Sequence, residues 1–304
     1  MVGALASVGV LAVVSVKLWT SKGEDVTLSN QRPQQLAQAT ATPEVTATPE
    51  PTKAPEITPT PEPTKSPEPA YVGVSEAGKK FTYDAKKISN KLSKYDYKNN
   101  GEKIVFLTFD DGTSTTVTPK ILKVLEDNNV HATFFLTGSN IERGGKRAKE
   151  LVKKEFEAGH AIANHSYSHD YKKLYPNRKL NLNSFLKDFA KTDKILKEIL
   201  GDDFSTRVIR CPGGFMSWKN MSELSNYMEE NNMVSIDWNA LNKDAEGGKK
   251  NADQLYKCAV ETAKGKEIVV LLMHDTYGKE ETAKALPKII KHFKSEGYEF
   301  KTLS

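Results

Sequence analysis

Two short clusters of polar residues have the composition of a metal site. His165 and His169 are four positions apart, a spacing that places both imidazoles on one face of a helical turn, where neutral ring nitrogens can bind a cation. Asp110 and Asp111, followed by Gly112, supply two carboxylates, of which one can bind a metal while the other acts as a base. Taken singly, each cluster has an ordinary structural explanation, such as a solvated histidine pair or an Asp-Asp-Gly turn.

Considered together, the clusters predict a catalytic site. Two histidines and one carboxylate leave coordination positions open, as catalytic zinc requires, and water bound there is activated at neutral pH. His274 ends an apolar segment and is a candidate general acid if Asp275 or Asp244 holds it in the cationic form. Arg210 can orient a carboxylate through a bidentate pair, although a plain structural ion pair would also explain it.

Alternating apolar and amphipathic segments define the elements that must position these residues. The apolar segments predict seven strands, several of them buried on both faces: 103–109, 132–137, 161–165, 207–210, 233–238, 267–274 and 299–303. Helical spacing predicts six helices between them: 119–128, 147–158, 184–200, 221–231, 251–264 and 282–296.

This alternation predicts a parallel α/β sheet, either an incomplete barrel or an open doubly wound sheet, because seven strands fall short of a complete eight-stranded barrel. In both architectures ligands bind at the carboxyl ends of the strands. The residues at those predicted ends are Asp110, Asp111, His165, Arg210, Asp237 and His274.

Five motifs in this order resemble the polysaccharide deacetylases of carbohydrate esterase family 4, also called the NodB homology domain. The resemblance covers about residues 101–299, and its motifs are Thr108-Phe109-Asp110-Asp111-Gly112, His165-Ser166-Tyr167-Ser168-His169, Arg210-Cys211-Pro212-Gly213-Gly214, Asp237-Trp238-Asn239 running on to Asp244, and Leu271-Leu272-Met273-His274-Asp275. It implies a distorted, incomplete (β/α)7 barrel that removes acetyl groups from amino sugars or sugar esters.

The resemblance also implies a metal site and its ion. Asp111, His165 and His169 would bind a divalent metal, Zn²⁺ in the first place and Co²⁺ or Mn²⁺ as alternatives.

The resemblance further implies the catalytic roles. Asp110 would be the general base, and Arg210 would orient it. His274 would protonate the departing amine, while Asp244 would keep the pKa of His274 high. The metal and a backbone N–H near Gly213 would stabilise the oxyanion.

Two positions depart from the pattern of the family and concern specificity. Gly213 and Ala245 stand where many members have an aromatic residue and a tryptophan, which predicts thinner walls for the sugar groove. Trp238 and Leu272 are candidates for the apolar slot that receives the acetyl methyl group, with plain core packing as the alternative. Cys211 and Cys258, the only cysteines, leave two alternatives open: a disulfide that braces the active-site loop, or two free thiols.

The composition divides the chain into four parts. Residues 1–19 begin with an uncharged apolar segment and predict a signal anchor in the membrane, or a secretory signal if cleaved. Ten of the fourteen prolines lie between Pro33 and Pro69, which predicts a disordered Thr/Pro/Glu-rich linker over 20–70. Residues 71–100 form a lead-in segment, and 101–304 form the catalytic domain. The net charge of +5 comes without a basic stripe interleaved with aromatic residues, so no nucleic-acid partner is predicted.

The predicted function is removal of N-acetyl groups from N-acetylglucosamine units of peptidoglycan by an enzyme tethered outside the cell membrane. A chitooligosaccharide deacetylase and an acetylxylan esterase are alternatives with the same active site. A stalked glycan-binding module without activity is the alternative from another class, opposed by the completeness of the catalytic set.

Overall fold

A curled sheet of parallel strands forms the centre of the computed structural model, which describes residues 72–304. The strands are β1 Thr82–Tyr83, β2 Ile104–Gly112, β3 Thr133–Leu136, β4 Ala161–Asn164, β5 Val208–Ile209, β6 Val234–Ser235, β7 Ala240–Leu241, β8 Ile268–His274, β9 Glu299–Phe300 and β10 Thr302–Leu303. The order in the large sheet is β6-β5-β4-β3-β2-β8-β7, with β9 also paired to β2. Since no pairing joins β6 to β7 among these residues, the sheet is the predicted incomplete barrel, with seven strands along its path.

The two longest strands, β2 and β8, owe their central place to apolar side chains on both faces. Along β2, Leu107 and Phe109 belong to the cluster that packs beneath the helices, whereas Ile104 and Phe106 belong to a second cluster. Successive side chains of a strand point to opposite faces, so the continuous apolar segment serves both cores. These cores hold the carboxyl ends of β2 and β8 side by side.

Eight helices cover the sheet within residues 72–304. They are α1 Ala85–Ser93, α2 Thr118–Asp127, α3 Gly138–Glu157, α4 Tyr171–Leu174, α5 Leu182–Leu200, α6 Ser222–Glu230, α7 Ala252–Ala263 and α8 Glu280–Ser295. Side-chain caps fix four of the helix starts, by Asp84 at α1, Asp170 at α4, Asn181 at α5 and Asn251 at α7. Asn181 accepts a hydrogen bond from the backbone N–H of Ser184 at the start of α5, and Asn251 forms a capping box with Gln254 at the start of α7.

Several elements differ from the sequence-based prediction, which lacked β1, α1 and α4. Helix α3 consists of two helical segments joined by a kink at Gly145 (φ 58°), where the backbone leaves the helical conformation. The second segment corresponds to the predicted helix 147–158, whereas the first, which begins at Gly138, was not predicted. The segment 299–303 divides into β9 and β10, which pair with β2 and β1 respectively. Strand β7 has only two residues and lacks the apolar alternation that would predict it.

The described part of the lead-in segment 71–100, residues 72–100, packs against the barrel. Strand β1 pairs with β10 at the end of the chain, and Asp84 forms a 2.9 Å ion pair with Arg207. The ring of Phe81 stacks on His131 with centroids 3.7 Å apart. These contacts fix α1 beside β6, where the hydroxyl of Ser89 donates to the carbonyl of Ser235.

Residues 1–71 lie outside the described residues, and with them the predicted signal anchor and the whole of the predicted linker. In residues 72–304, no helix combines the length and the apolar character needed to cross a membrane.

Candidate functional site

The predicted site residues converge at the carboxyl ends of four strands. Asp110 lies in β2 directly opposite His274 of β8. His165 follows β4, and Arg210 follows β5. The parallel topology therefore brings together residues that are as much as 164 positions apart in the sequence.

A bulge in β2 aims the second carboxylate of the Asp-Asp pair. The register against β3 shifts between Asp110 and Gly112, so Asp111 is the extra residue, and its φ of 66° is in the left-handed region. In a regular strand, adjacent side chains would point to opposite faces, whereas a bulge redirects one of them. Asp110 and Asp111 consequently both approach the same imidazole, with carboxylate oxygens 3.6 and 3.7 Å from Nε2 of His165.

The imidazole of His165 is oriented by the strand beside it. Its Nδ1 lies 2.7 Å from the carbonyl oxygen of Arg210, to which it donates, leaving Nε2 unprotonated toward the carboxylates. Burial and the neighbouring His169 lower the pKa of His165 to about 3, so the ring is neutral, as a metal ligand must be.

Asp111, His165 and His169 form a cluster suited to a divalent cation. One ligand atom from each lies within 4.8 Å of the others, and Nε2 of His169 is 3.6 Å from the carboxylate of Asp111. Two imidazole nitrogens and one carboxylate oxygen are ligand types that zinc accepts, and three ligands leave a position open. The donor set therefore fits the catalytic metal that the sequence predicts.

A buried carboxylate that sequence reasoning missed shapes the loop between the two histidines. Asp188 of α5 accepts hydrogen bonds from the backbone N–H groups of Tyr167 and Ser168, at 2.9 and 2.8 Å, and from the hydroxyl of Ser168 at 2.9 Å. Its second oxygen also pairs with Lys173 at 2.5 Å. The only sequence signal was an acidic residue on the apolar side of a predicted helix.

Replacing Asp188 with alanine is expected to weaken metal binding about 10- to 100-fold, the usual effect of removing a group that holds a metal ligand in place. The loop would lose three hydrogen bonds while the ligands themselves stay. Metal titration followed by elemental analysis measures this, with circular dichroism to monitor the fold. Lys173→Ala is the matched control, since it removes only a partly exposed ion pair; equal losses in both variants would contradict the role of Asp188.

Arg210 fixes Asp110 by one nitrogen. Its Nη1 lies 2.6 Å from Oδ1 of Asp110, whereas Nε and Nη2 donate to the carbonyls of Ile236 and Asp237. The bidentate pair expected from the sequence is therefore not formed, because the other donors are committed to the backbone. Oδ2 of Asp110 is left facing His165. Burial raises the pKa of Asp110 against the opposing charge of Arg210, which makes its carboxylate a stronger base.

His274 pairs with Asp244, not with Asp275. Its Nδ1 lies 2.7 Å from Oδ1 of Asp244, while the other oxygen of Asp244 accepts from the backbone N–H of His274 and the hydroxyl of Thr282. Asp275 instead accepts a hydrogen bond from Thr118. Burial alone would lower the pKa of His274, but Asp244, together with Asp110 and Asp111, raises it to about 9. His274 is therefore cationic at neutral pH and can donate a proton from Nε2.

The variant Asp244→Asn is expected to move the basic limb of the pH–rate profile to lower pH. The amide still accepts hydrogen bonds but removes the charge that raises the pKa of His274, so the proton of the acid is lost at a lower pH. The profile of kcat against pH measures the shift. Asp253→Asn, at an exposed ion pair on α7, should leave the profile unchanged, and an unaltered basic limb in Asp244→Asn would exclude His274 as the group that titrates there.

Comparison with known proteins gives the family. The model of the family described as polysaccharide deacetylase matches residues 97–229. A peptidoglycan-N-acetylglucosamine deacetylase of Bacillus cereus is 33% identical over 70% of this chain and 72% of its own length. This chain belongs to the polysaccharide deacetylase family.

Solved structures and further relatives agree with that assignment. A carbohydrate esterase family 4 (CE4) esterase of Streptococcus mutans superposes with a TM-score of 0.70 and 35% identity, covering 77% of this chain and 96% of that one. A bifunctional xylanase/deacetylase of Pseudobutyrivibrio xylanivorans is 32% identical over 67% of this chain and 30% of its own length. The family consists of hydrolases that remove acetyl groups and depend in general on a metal, and the incomplete barrel is the fold of its CE4 members.

In this deacetylase, two aromatic side chains fill the space beside Gly213. A Cβ atom at Gly213 would lie 3.0 Å from the indole of Trp218 and 3.3 Å from the hydroxyl of Tyr171. Trp218 is held by stacking on Tyr175 at 4.1 Å and by a hydrogen bond to the carbonyl of Pro212. The wall that the sequence predicts to be thin at Gly213 thus receives aromatic rings from elsewhere in the chain.

The backbone around Gly213 suits the predicted oxyanion site. The N–H of Gly214 donates to the carbonyl of Cys211, closing a turn with Pro212 and Gly213 (φ 79°) at its centre, the signature of a type II turn. Among the described residues, the backbone N–H of Gly213 donates no hydrogen bond to another protein group. The deacetylase therefore presents a backbone donor at this position.

The two candidates for the methyl slot are both partly exposed. Leu272 is two residues before His274 on β8, and both side chains lie on the same face of the strand. Trp238 packs against the second cluster and is only partly buried. Their contact with an acetyl group stays a prediction.

Cys211 and Cys258 are free thiols in this structure, so the disulfide alternative is wrong for it. Cys211 follows β5 and is buried in a cluster with Tyr175 and Phe185, whereas Cys258 lies on α7, which packs against β7 and α8. The two cysteines therefore pack against different parts of the protein.

Proposed function

We propose that this chain is a zinc-dependent N-deacetylase acting on N-acetylglucosamine units of peptidoglycan. The observation that carries the proposal is a base and an acid at paired positions of β2 and β8, next to one metal cluster: Asp110 is held by Arg210, and His274 is held by Asp244. The substrate is supported by the printed function of the Bacillus cereus relative, and zinc by the ligand types of the cluster.

The residues divide the attack on the amide between them. A divalent ion held by Asp111, His165 and His169 would activate water and polarise the acetyl carbonyl. Asp110 takes the proton of the attacking water on Oδ2, because Oδ1 is held by Arg210. The N–H of Gly213 donates to the carbonyl oxygen as negative charge develops on it.

His274 completes the reaction at the nitrogen of the substrate. As the carbon–nitrogen bond breaks, Nε2 of His274 donates its proton to the departing amine, and Asp244 stabilises the cationic ring beforehand. The products are acetate and a free amino group on the sugar. The proton taken by Asp110 and the one given by His274 are exchanged with solvent before the next cycle.

We place the enzyme at the outer face of the cell membrane, tethered by residues 1–19. The apolar, uncharged start of the chain supports the anchor. The proline-rich composition of the 33 residues 38–70 supports a spacer that reaches about 100 Å if extended, at about 3.1 Å per residue. An enzyme held there would meet the wall of its own cell.

Acetate release from two classes of polymer tests the substrate. The zinc-loaded enzyme is expected to release acetate from peptidoglycan strands and N-acetylglucosamine oligomers, and little from acetylated xylan. The xylanase/deacetylase relative favours xylan as the competing substrate, and activity confined to xylan would overturn the proposal. Activity on chitin-type oligomers without activity on peptidoglycan would instead favour a chitooligosaccharide deacetylase.

A further inference from the structure

A groove beside the metal site has no assigned role. It has a volume of about 550 Å³, within the usual range of ligand pockets. One wall comes from α1 and the residues after it, and the other comes from the loop 213–217 and α6. Residues 233–238 form its floor.

The groove is continuous with the catalytic centre through its inner end. Gly213 and Trp238 line it, and the guanidinium of Arg210, which holds Asp110, lies 5.8 Å from the ring of Trp238. On the other side of Gly213 are Tyr171 and then His169, with ring centroids 5.2 Å apart. A polymer whose reacting unit lies at the metal cluster would pass directly into this groove.

The lining is suited to neutral sugars. Tyr95 and Met216 are 73% and 71% exposed, so large apolar surfaces are open to solvent at the two rims. Between them the walls carry small neutral polar side chains: Ser89, Asn90, Ser93, Ser217 and Ser225. The four serine hydroxyls donate to backbone carbonyls, so toward a sugar they act as acceptors, whereas the amide of Asn90 can both donate and accept. A pyranose ring has an apolar face of C–H groups and a rim of hydroxyls, which match aromatic or thioether surfaces and short hydrogen-bonding side chains respectively.

The charges of the groove are few and partly committed. Lys86 and Glu229 have opposite signs, and the carboxylate of Asp237 accepts hydrogen bonds from the backbone N–H groups of Phe215 and Met216. A peptide stem bearing several carboxylates would require a cluster of cations. The balance of charge therefore favours an uncharged glycan.

We infer that this groove binds further sugar units of the glycan strand, and that the lead-in segment is a substrate-binding part of the enzyme. The inference deepens the proposed function and rests on it for the identity of the reacting unit. The hydrogen bond between Ser89 and the carbonyl of Ser235, at 2.9 Å, docks α1 on β6 and makes the wall part of the rigid body.

Chain-length dependence of deacetylation tests the inference. For wild type, kcat/KM is expected to rise from the dimer to the hexamer of β-1,4-linked N-acetylglucosamine. Removing one exposed contact, in Tyr95→Ala or in Met216→Ala, should raise KM for the hexamer about fivefold with kcat unchanged. Activity on the dimer should stay at the wild-type level. Lys87→Ala on α1 and Asn226→Ala on α6, exposed positions outside the groove, are the matched controls.

Three results distinguish failure of the groove assignment from failure of the proposed function. If the enzyme deacetylates the hexamer and both variants match wild type, the groove assignment is overturned while the proposed function stands. If the variants lose activity only on strands that carry peptide stems, the occupant is a peptide and the sugar assignment is overturned. If no acetylated glycan is hydrolysed, the proposed function fails, and calorimetric binding of the hexamer decides the groove: weaker binding by Tyr95→Ala than by wild type supports it, and equal binding overturns it.

Discussion

Replacing Asp110 with asparagine is expected to lower kcat by about 10² to 10⁴, the usual contribution of a general base. The amide oxygen can still accept the hydrogen bond from Arg210, which is 2.6 Å long in the wild type, but no basic oxygen then faces the metal cluster. The metal content should stay at the wild-type level, because Asp110 is not among the three ligands. Acetate release and elemental analysis on the same sample measure both quantities.

Asp253→Asn is a control for that variant. It makes the same chemical change on α7, at an exposed ion pair with Lys288 outside the catalytic set. Turnover close to wild type is expected for it. Undiminished deacetylation by Asp110→Asn would show that the base is a different group, whereas loss of metal together with activity would show that Asp110 is a ligand.

The second large effect is expected from His165→Ala, which should empty the metal site and abolish turnover. The substitution removes the ligand that is most firmly oriented, since its Nδ1 is bonded to the carbonyl of Arg210. Loss of a direct ligand should reduce metal affinity by more than the roughly 10- to 100-fold typical of the groups that support ligands. Metal content after dialysis and acetate release are the measurements.

His292→Ala provides the comparison for this variant. It makes the same chemical change on α8, where the ring of His292 packs against Phe293 and Tyr256 away from the cluster. It should keep both metal and activity. Full metal content in His165→Ala would contradict the assigned site, and restored turnover on adding excess metal would show weakened binding instead of an emptied site.

The sequence predicted the strands that carry the site because their apolar segments are nearly continuous and end at polar residues. Asp110, His165 and His274 could be placed at one edge of the sheet from this pattern and from parallel topology alone. The family resemblance added the roles. The bulge at Asp111 could not be read from the residues, since it depends on a register shift against β3.

Contacts that form only in the folded chain account for what was missed. Asp188 resembles an ordinary helix residue until α5 is packed against the loop that contains Tyr167 and Ser168. Trp218 fills the space beside Gly213 only because the chain folds back over the turn. The disulfide alternative depended on the distance between the two sulfur atoms, which the sequence does not give.

The position of β2 in the sheet has a consequence for the dynamics of the enzyme. This strand pairs with β3, β8 and β9, so both of its edges are hydrogen-bonded. Amide groups in such a strand exchange with solvent only in the rarest openings of a protein. Thermal fluctuations that loosen the rims of the barrel will therefore leave Asp110 in register with His274, and the backbone amides of β2 should be among the slowest in the protein to exchange with solvent.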